Sequence, residues 1–194
     1  MKKLMTLIFT TSTFTVFAQN KIPLLKTSNS IKPDIEKVAG DYYNHFDNIK
    51  GDQTDETQNT IEYQSKILPK GALESSITQI KGLYNVYSWQ AVMLNTDDFE
   101  KAVEKYEQIY HELNGAGFMM HDHKVWKFKG SYDTPDNARP FASSILEPDL
   151  DDKVLRRLKI EVALNYNISE WSVKVLVYEK ENDADIRPAE NSSQ

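Results

Sequence analysis

Thr96-Asp-Asp-Phe-Glu-Lys-Ala-Val-Glu-Lys-Tyr-Glu-Gln-Ile-Tyr-His-Glu-Leu-Asn-Gly115 is the clearest helix in the sequence, and its reading decides the fold. Phe99, Ala102, Val103, Tyr106, Ile109, Tyr110 and Leu113 recur at threes and fours, which gathers them into one apolar stripe. Glu100, Lys101, Glu104, Lys105, Gln108 and Glu112 fall on the opposite, wet face. Thr96 is placed to accept from an unpaired backbone N–H of the first turn. Asp97 and Asp98 put negative charge at the positive end of the helix dipole. Gly115 suits the left-handed residue that ends a helix. A helix this amphipathic must cover an apolar surface, and segments with strand periodicity lie on both sides of it.

Before the helix, Ile61, Tyr63, Ser65 and Ile67 alternate with Thr60, Glu62, Gln64 and Lys66, the period of a strand with one wet face. Leu73 to Ile80 fits a helical turn or a strand, and its serines and threonine favour strand. Tyr84 to Leu94 is a firmer strand, with Tyr87, Trp89, Ala91 and Met93 on one side. After the helix, Lys124 to Gly130 reads as a strand with Trp126 and Phe128 inward, and Phe141 to Leu146 as a short one. A hairpin follows, in which Leu158, Ile160, Val162 and Leu164 precede Trp171, Val173, Val175 and Val177. Outward residues such as Glu62, Gln64, Lys127, Lys129, Lys159, Glu161 and Lys174 predict a second face of mixed charge.

A weaker relative of the first helix runs from Pro33 to Ile49, with Ile35, Val38, Tyr42, Phe46 and Ile49 on one stripe and Gly51 as its stop. Asp52 to Asn59 reads as a polar loop. Set beside Asp97 to Gly115 without a gap, this helix brings Asp34, Glu36, Lys37, Tyr42 and Gly51 onto Asp98, Glu100, Lys101, Tyr106 and Gly115. Ser75-Ser76-Ile77 parallels Ser143-Ser144-Ile145, and Trp89 parallels Trp171. Together these matches read as an internal α-β-β-β duplication with halves 32–95 and 96–180. The expected fold is α+β, a single antiparallel sheet of six or seven strands with two amphipathic helices on one face.

Residues 1–18 have the pattern of a secretory signal peptide: Lys2 and Lys3, an apolar middle from Leu4 to Phe17, and Val16-Phe17-Ala18 at the cleavage site. The middle is too short and too Thr-rich for a good membrane span, so no transmembrane span is expected after cleavage. Residues 19–31 read as a linker, 32–180 as a single domain and 181–194 as a polar, disordered tail. The expected location is therefore outside the cytoplasm, periplasmic or extracellular. Cysteine is absent, which excludes disulfides, thiolate metal sites and a cysteine nucleophile. The net charge of −6 becomes more negative once Lys2 and Lys3 leave with the leader, and it argues against a nucleic-acid partner.

Two constellations could carry function. Tyr84, Tyr87 and Trp89 could form an aromatic platform for a ligand, although alternating aromatics on a strand more often enter a core. His121 and His123, projecting to one side of an extended segment after Met119 and Met120, could hold a late transition metal with His111 as third ligand. No nucleophile elbow, phosphate-binding glycine loop or His-Glu-x-x-His motif is present. The expectation is a non-catalytic, exported, bacterial-type module that binds a protein or small ligand and needs no cofactor. The alternative is a metal-binding protein or metal-dependent enzyme built on the Met-Met-His-Asp-His segment.

Overall fold

The computed structural model describes residues 30–82, 84–149 and 157–180. The expected signal peptide, most of the linker, the end of the acidic loop after Asp149 and the tail lie outside the described residues. The chain begins with α1 (Lys32–Asp41), a 3-10 turn (Tyr42–Asn44) and four strands: β1 (Lys50–Glu56), β2 (Thr60–Ser65), β3 (Glu74–Ile80) and β4 (Val86–Thr96). Then come α2 (Phe99–Leu113) and five more: β5 (Gly117–Met119), β6 (Val125–Lys129), β7 (Phe141–Pro148), β8 (Leu158–Asn167) and β9 (Glu170–Glu179).

The strands form one nine-stranded sheet in the order β1-β2-β3-β4-β9-β8-β7-β6-β5, with every pairing antiparallel. Two meanders thus run inward from opposite edges and meet where β4 pairs with β9. Helix α2 packs on β4, β8 and β9. Side chains of both helices join the inward-facing strand residues in one continuous core, from Ile35 and Val38 through Trp89, Tyr106 and Phe128 to Val175.

The expected sheet of six or seven strands was two or three short, and the reason is physical. β1 reads Lys-Gly-Asp-Gln-Thr-Asp-Glu and has no apolar alternation because it is an edge strand with an exposed, charged surface. Its backbone bonds to β2 define it, not its side chains. β5 has only three residues, too few for any period to show.

α2 begins two residues later than Thr96 as its cap would imply. Asp98 is the N-cap and accepts from the Lys101 N–H at 3.2 Å, while Thr96 Oγ1 accepts from the Asp98 N–H at 3.1 Å. Gly115 takes φ 76°, as its position predicts. Glu112, assigned above to the wet face, instead caps the other helix. Its Oε1 accepts from the N–H groups of Ile31 and Lys32, at 2.7 and 3.0 Å, and from the Ser30 hydroxyl at 2.5 Å. Ile31, at the end of the expected linker, is consequently buried.

α1 stops at Asp41 and does not reach Ile49. The Asp41 carboxylate accepts from the Asn48 backbone N–H and side-chain amide, and His45 and Phe46 turn left-handed at φ 54° and 60°. That conformation is costly for an aromatic residue, by about 1–2 kcal/mol, and here it drives Phe46 completely into the core. The apolar stripe is therefore buried by a reversal of the chain and not by a longer helix. Gly51 is no helix stop: it lies in β1, where a Cβ would meet Gln64 O at 2.8 Å.

These details correct the gap-free helix match. Tyr106 is fully buried in the middle of α2, whereas Tyr42 is half-buried in the 3-10 turn, beside Glu179 at the end of β9. The serine match also changes face, because Ile77 points into the core from β3 while on β7 it is Ser144 that points inward. The tryptophan match has a geometric counterpart. The β4–β9 pairing is centred near Val92 and Lys174, and, apart from the irregularity between Val92 and Leu94, Trp89 and Trp171 lie at matching distances from that centre on the two strands.

Candidate binding surface

α2 covers one face of the sheet at β4, β8 and β9; the other is the open face, on which Val92, Ala163 and Lys159 are nonetheless buried, and strand register places its residues in rows. One row runs Gln64, Ser76, Gln90, Leu176, Glu161 and Ile145 across β2, β3, β4, β9, β8 and β7. The next runs Glu74, Val92, Lys174, Ala163 and Ser143. A third runs Glu62, Thr78, Ser88, Tyr178 and Lys159.

Along the β7–β9 part of these rows the polar groups bond to one another. Tyr178 Oη donates to Glu161 Oε2 at 2.8 Å, and Ser143 Oγ donates to Glu161 Oε1 at 2.5 Å. Lys159, though on the outward face, is only 2 % exposed and pairs with Glu147 at 2.8 Å. Burial pushes the Tyr178 phenol above its ordinary value, and the bond and charge of Glu161 push it further.

The β2–β4 part is different. Gln90 Nε2 donates to Ser76 Oγ at 3.1 Å, but the side chains of Glu62, Gln64 and Glu74 have no hydrogen-bond or ion-pair partner among the described residues. They line a groove of about 560 Å³ whose apolar wall is Leu68 and Leu73, 54 % and 59 % exposed. The hydroxyls beside it are committed to backbone: Ser65 Oγ and Ser75 Oγ both donate to Ile67 O, at 3.0 and 2.8 Å. None of these serines is bonded to a base, the arrangement that would activate it as a nucleophile. The groove is polar and concave, the shape and lining of a recognition site.

The residues singled out from sequence fall elsewhere. Trp89 is fully buried and donates its indole N–H to Ser65 Oγ at 2.9 Å. Tyr87 is half-buried against His45, at 5.0 Å between rings, with the Lys50 ammonium 4.9 Å from its ring centre. Tyr84 is 83 % exposed in the loop before β4, so the three do not share one surface. His111 lies on α2 beside Tyr110 and Tyr132, its Nε2 3.4 Å from Glu107. His121 packs against Tyr43 instead, at 5.3 Å. Residues 121–123 form a turn with His123 at φ 59°, not the extended segment expected above, so the alternation that would align His121 and His123 is lost. Among the described residues no three His, Asp or Glu side chains are grouped as a metal site requires.

The groove residues were visible in the sequence only as the polar half of an alternation. Their adjacency depends on the register of β2, β3 and β4, which no local pattern encodes. Among the described residues no helix is long and apolar enough to cross a membrane. No family model matches the chain, nor does any curated protein or solved structure.

Proposed function

We propose that this chain is a non-catalytic, exported binding module whose ligand lies across the open face of its sheet. The observation that carries the reading is the groove over β2–β4, where Glu62, Gln64 and Glu74 present hydrogen-bonding groups that have no partner among the described residues. Export is supported by the Lys2-Lys3 start, the apolar middle and the Val16-Phe17-Ala18 cleavage pattern. We also read the two meanders as descendants of one duplicated unit. The supports are the mirrored strand order about β4 and β9 and the correspondence of Trp89 with Trp171.

The test has two arms. The purified protein is expected to show no turnover on a panel of hydrolase substrates. Turnover that a single carboxylate or histidine substitution abolishes would sink the proposal. Ser76→Arg and Gln90→Arg, which fill the groove without touching the core, should abolish ligand binding at an unchanged melting temperature.

A further inference from the structure

The groove continues past Glu74. That residue also lines a second depression of about 480 Å³, over Asn95, Asn165 and Lys174. Tyr166 is shared between this depression and a third, of about 520 Å³, at the start of α2. Three recesses therefore follow one another, starting on the open face and passing the tip of the β8–β9 hairpin, beyond which Tyr166, paired with Trp171, belongs to the helix side of β8.

The third recess is floored by rings. Phe99 and Tyr166 each lie 4.9 Å from Trp171, on opposite ends of a row of three aromatics. Trp171 is 5 % exposed but Tyr166 is 45 % exposed, so the outer ring offers a surface to stack on. Asp97 and Asn137 stand at the rim, and neither side chain is hydrogen-bonded within the described residues.

The backbone of β2, β3, β4, β9 and β8 is already paired strand to strand beneath the run, so an extended peptide cannot join it by adding a strand. The ligand must be read by side chains alone. Amides and carboxylates exchange hydrogen bonds with neighbouring hydroxyls, and an exposed aromatic ring takes the C–H face of a pyranose. Asp97, Glu74 and Glu170 outnumber Lys174 along the run, which disfavours a polyanionic chain.

Building on the reading of the open face as the ligand surface, we propose that the run of recesses binds a neutral oligosaccharide, with Tyr166 as the ring platform. The test is calorimetric titration of the folded protein with chitohexaose, cellohexaose and maltohexaose. A heparin-derived hexasaccharide and a lysine-rich peptide serve as comparison ligands. At least one neutral hexasaccharide should bind saturably. Tyr166→Ala should weaken it by about tenfold or more, Tyr166→Phe should retain it, and the melting temperature of both variants should stay near that of the parent. The inference is overturned if no neutral hexasaccharide binds the parent at about 10 mM, or if Tyr166→Ala binds as well as the parent. Binding of only the peptide or the heparin fragment, abolished by Gln90→Arg, would overturn it as well while leaving the open face as a binding surface.

Discussion

The two parts of the open sheet face are built from the same strand alternation yet differ in what their polar groups do. Over β7–β9, Glu161 takes bonds from Tyr178 and Ser143, and Lys159 is sunk against Glu147. Over β2–β4, Glu62, Gln64 and Glu74 have no partner among the described residues around a groove. Polar groups that satisfy one another stabilise the fold. Polar groups held in a recess and left unpaired contribute little to stability and remain available to something else. On the proposed reading, the difference separates a side that serves folding from one available for binding, and substitutions on each side should divide along that line.

The largest effect is expected at the β6–β7 side. A Cβ on Gly130 would lie 1.8 Å from Ile145 O, and the glycine's own N–H and C=O are held by Asn114 and Tyr110. Gly130→Ala should cost about 3 kcal/mol or more, read from denaturant unfolding. Glu161→Ala comes next. It leaves two half-buried hydroxyls without their acceptor, and a loss of about 1–3 kcal/mol is expected.

Tyr106 gives the third effect, in its dependence on pH. Its hydroxyl shares a hydrogen bond with Ser144 at 2.6 Å. Burial, with a smaller contribution from nearby Asp133, raises its pKa to about 12. An unfolded tyrosine ionises near 10. The contribution of Tyr106 is therefore whole below pH 10 and is lost as pH rises through about 12. Tyr106→Phe should flatten the fall in melting temperature across that window, and an unchanged slope would refute the assignment. The smallest effect belongs to the groove: Glu62→Ala and Gln64→Ala should each change stability by no more than about 0.5 kcal/mol. A substantial loss at either residue would mean that the β2–β4 half also serves folding.

Seven of the nine strands were legible because each has a buried side, so that residues such as Trp126 with Phe128, or Val173 with Val175 and Val177, betray the period. β1 was not, because an exposed edge strand is held by backbone bonds that leave no mark on side-chain polarity. The early end of α1 was hidden for a related reason. Tyr42, Phe46 and Ile49 have helical spacing, but a 3-10 turn and two left-handed residues bury Phe46 and Ile49 just as well. For the site, the sequence directed attention to aromatics and histidines, residue types that stand out in composition. Trp89 proved to be core, and the groove was assembled from ordinary Glu, Gln and Ser brought side by side by register.

The most direct measurement is amide and side-chain NMR shift mapping of the folded protein titrated with neutral oligosaccharides, extended peptides and small polar solutes. The account predicts that a bound ligand perturbs Gln64, Ser76 and Gln90 on the open face while the Glu161–Tyr178 side stays still. Perturbations confined to the helices, or to the turn carrying His121 and His123, would contradict it.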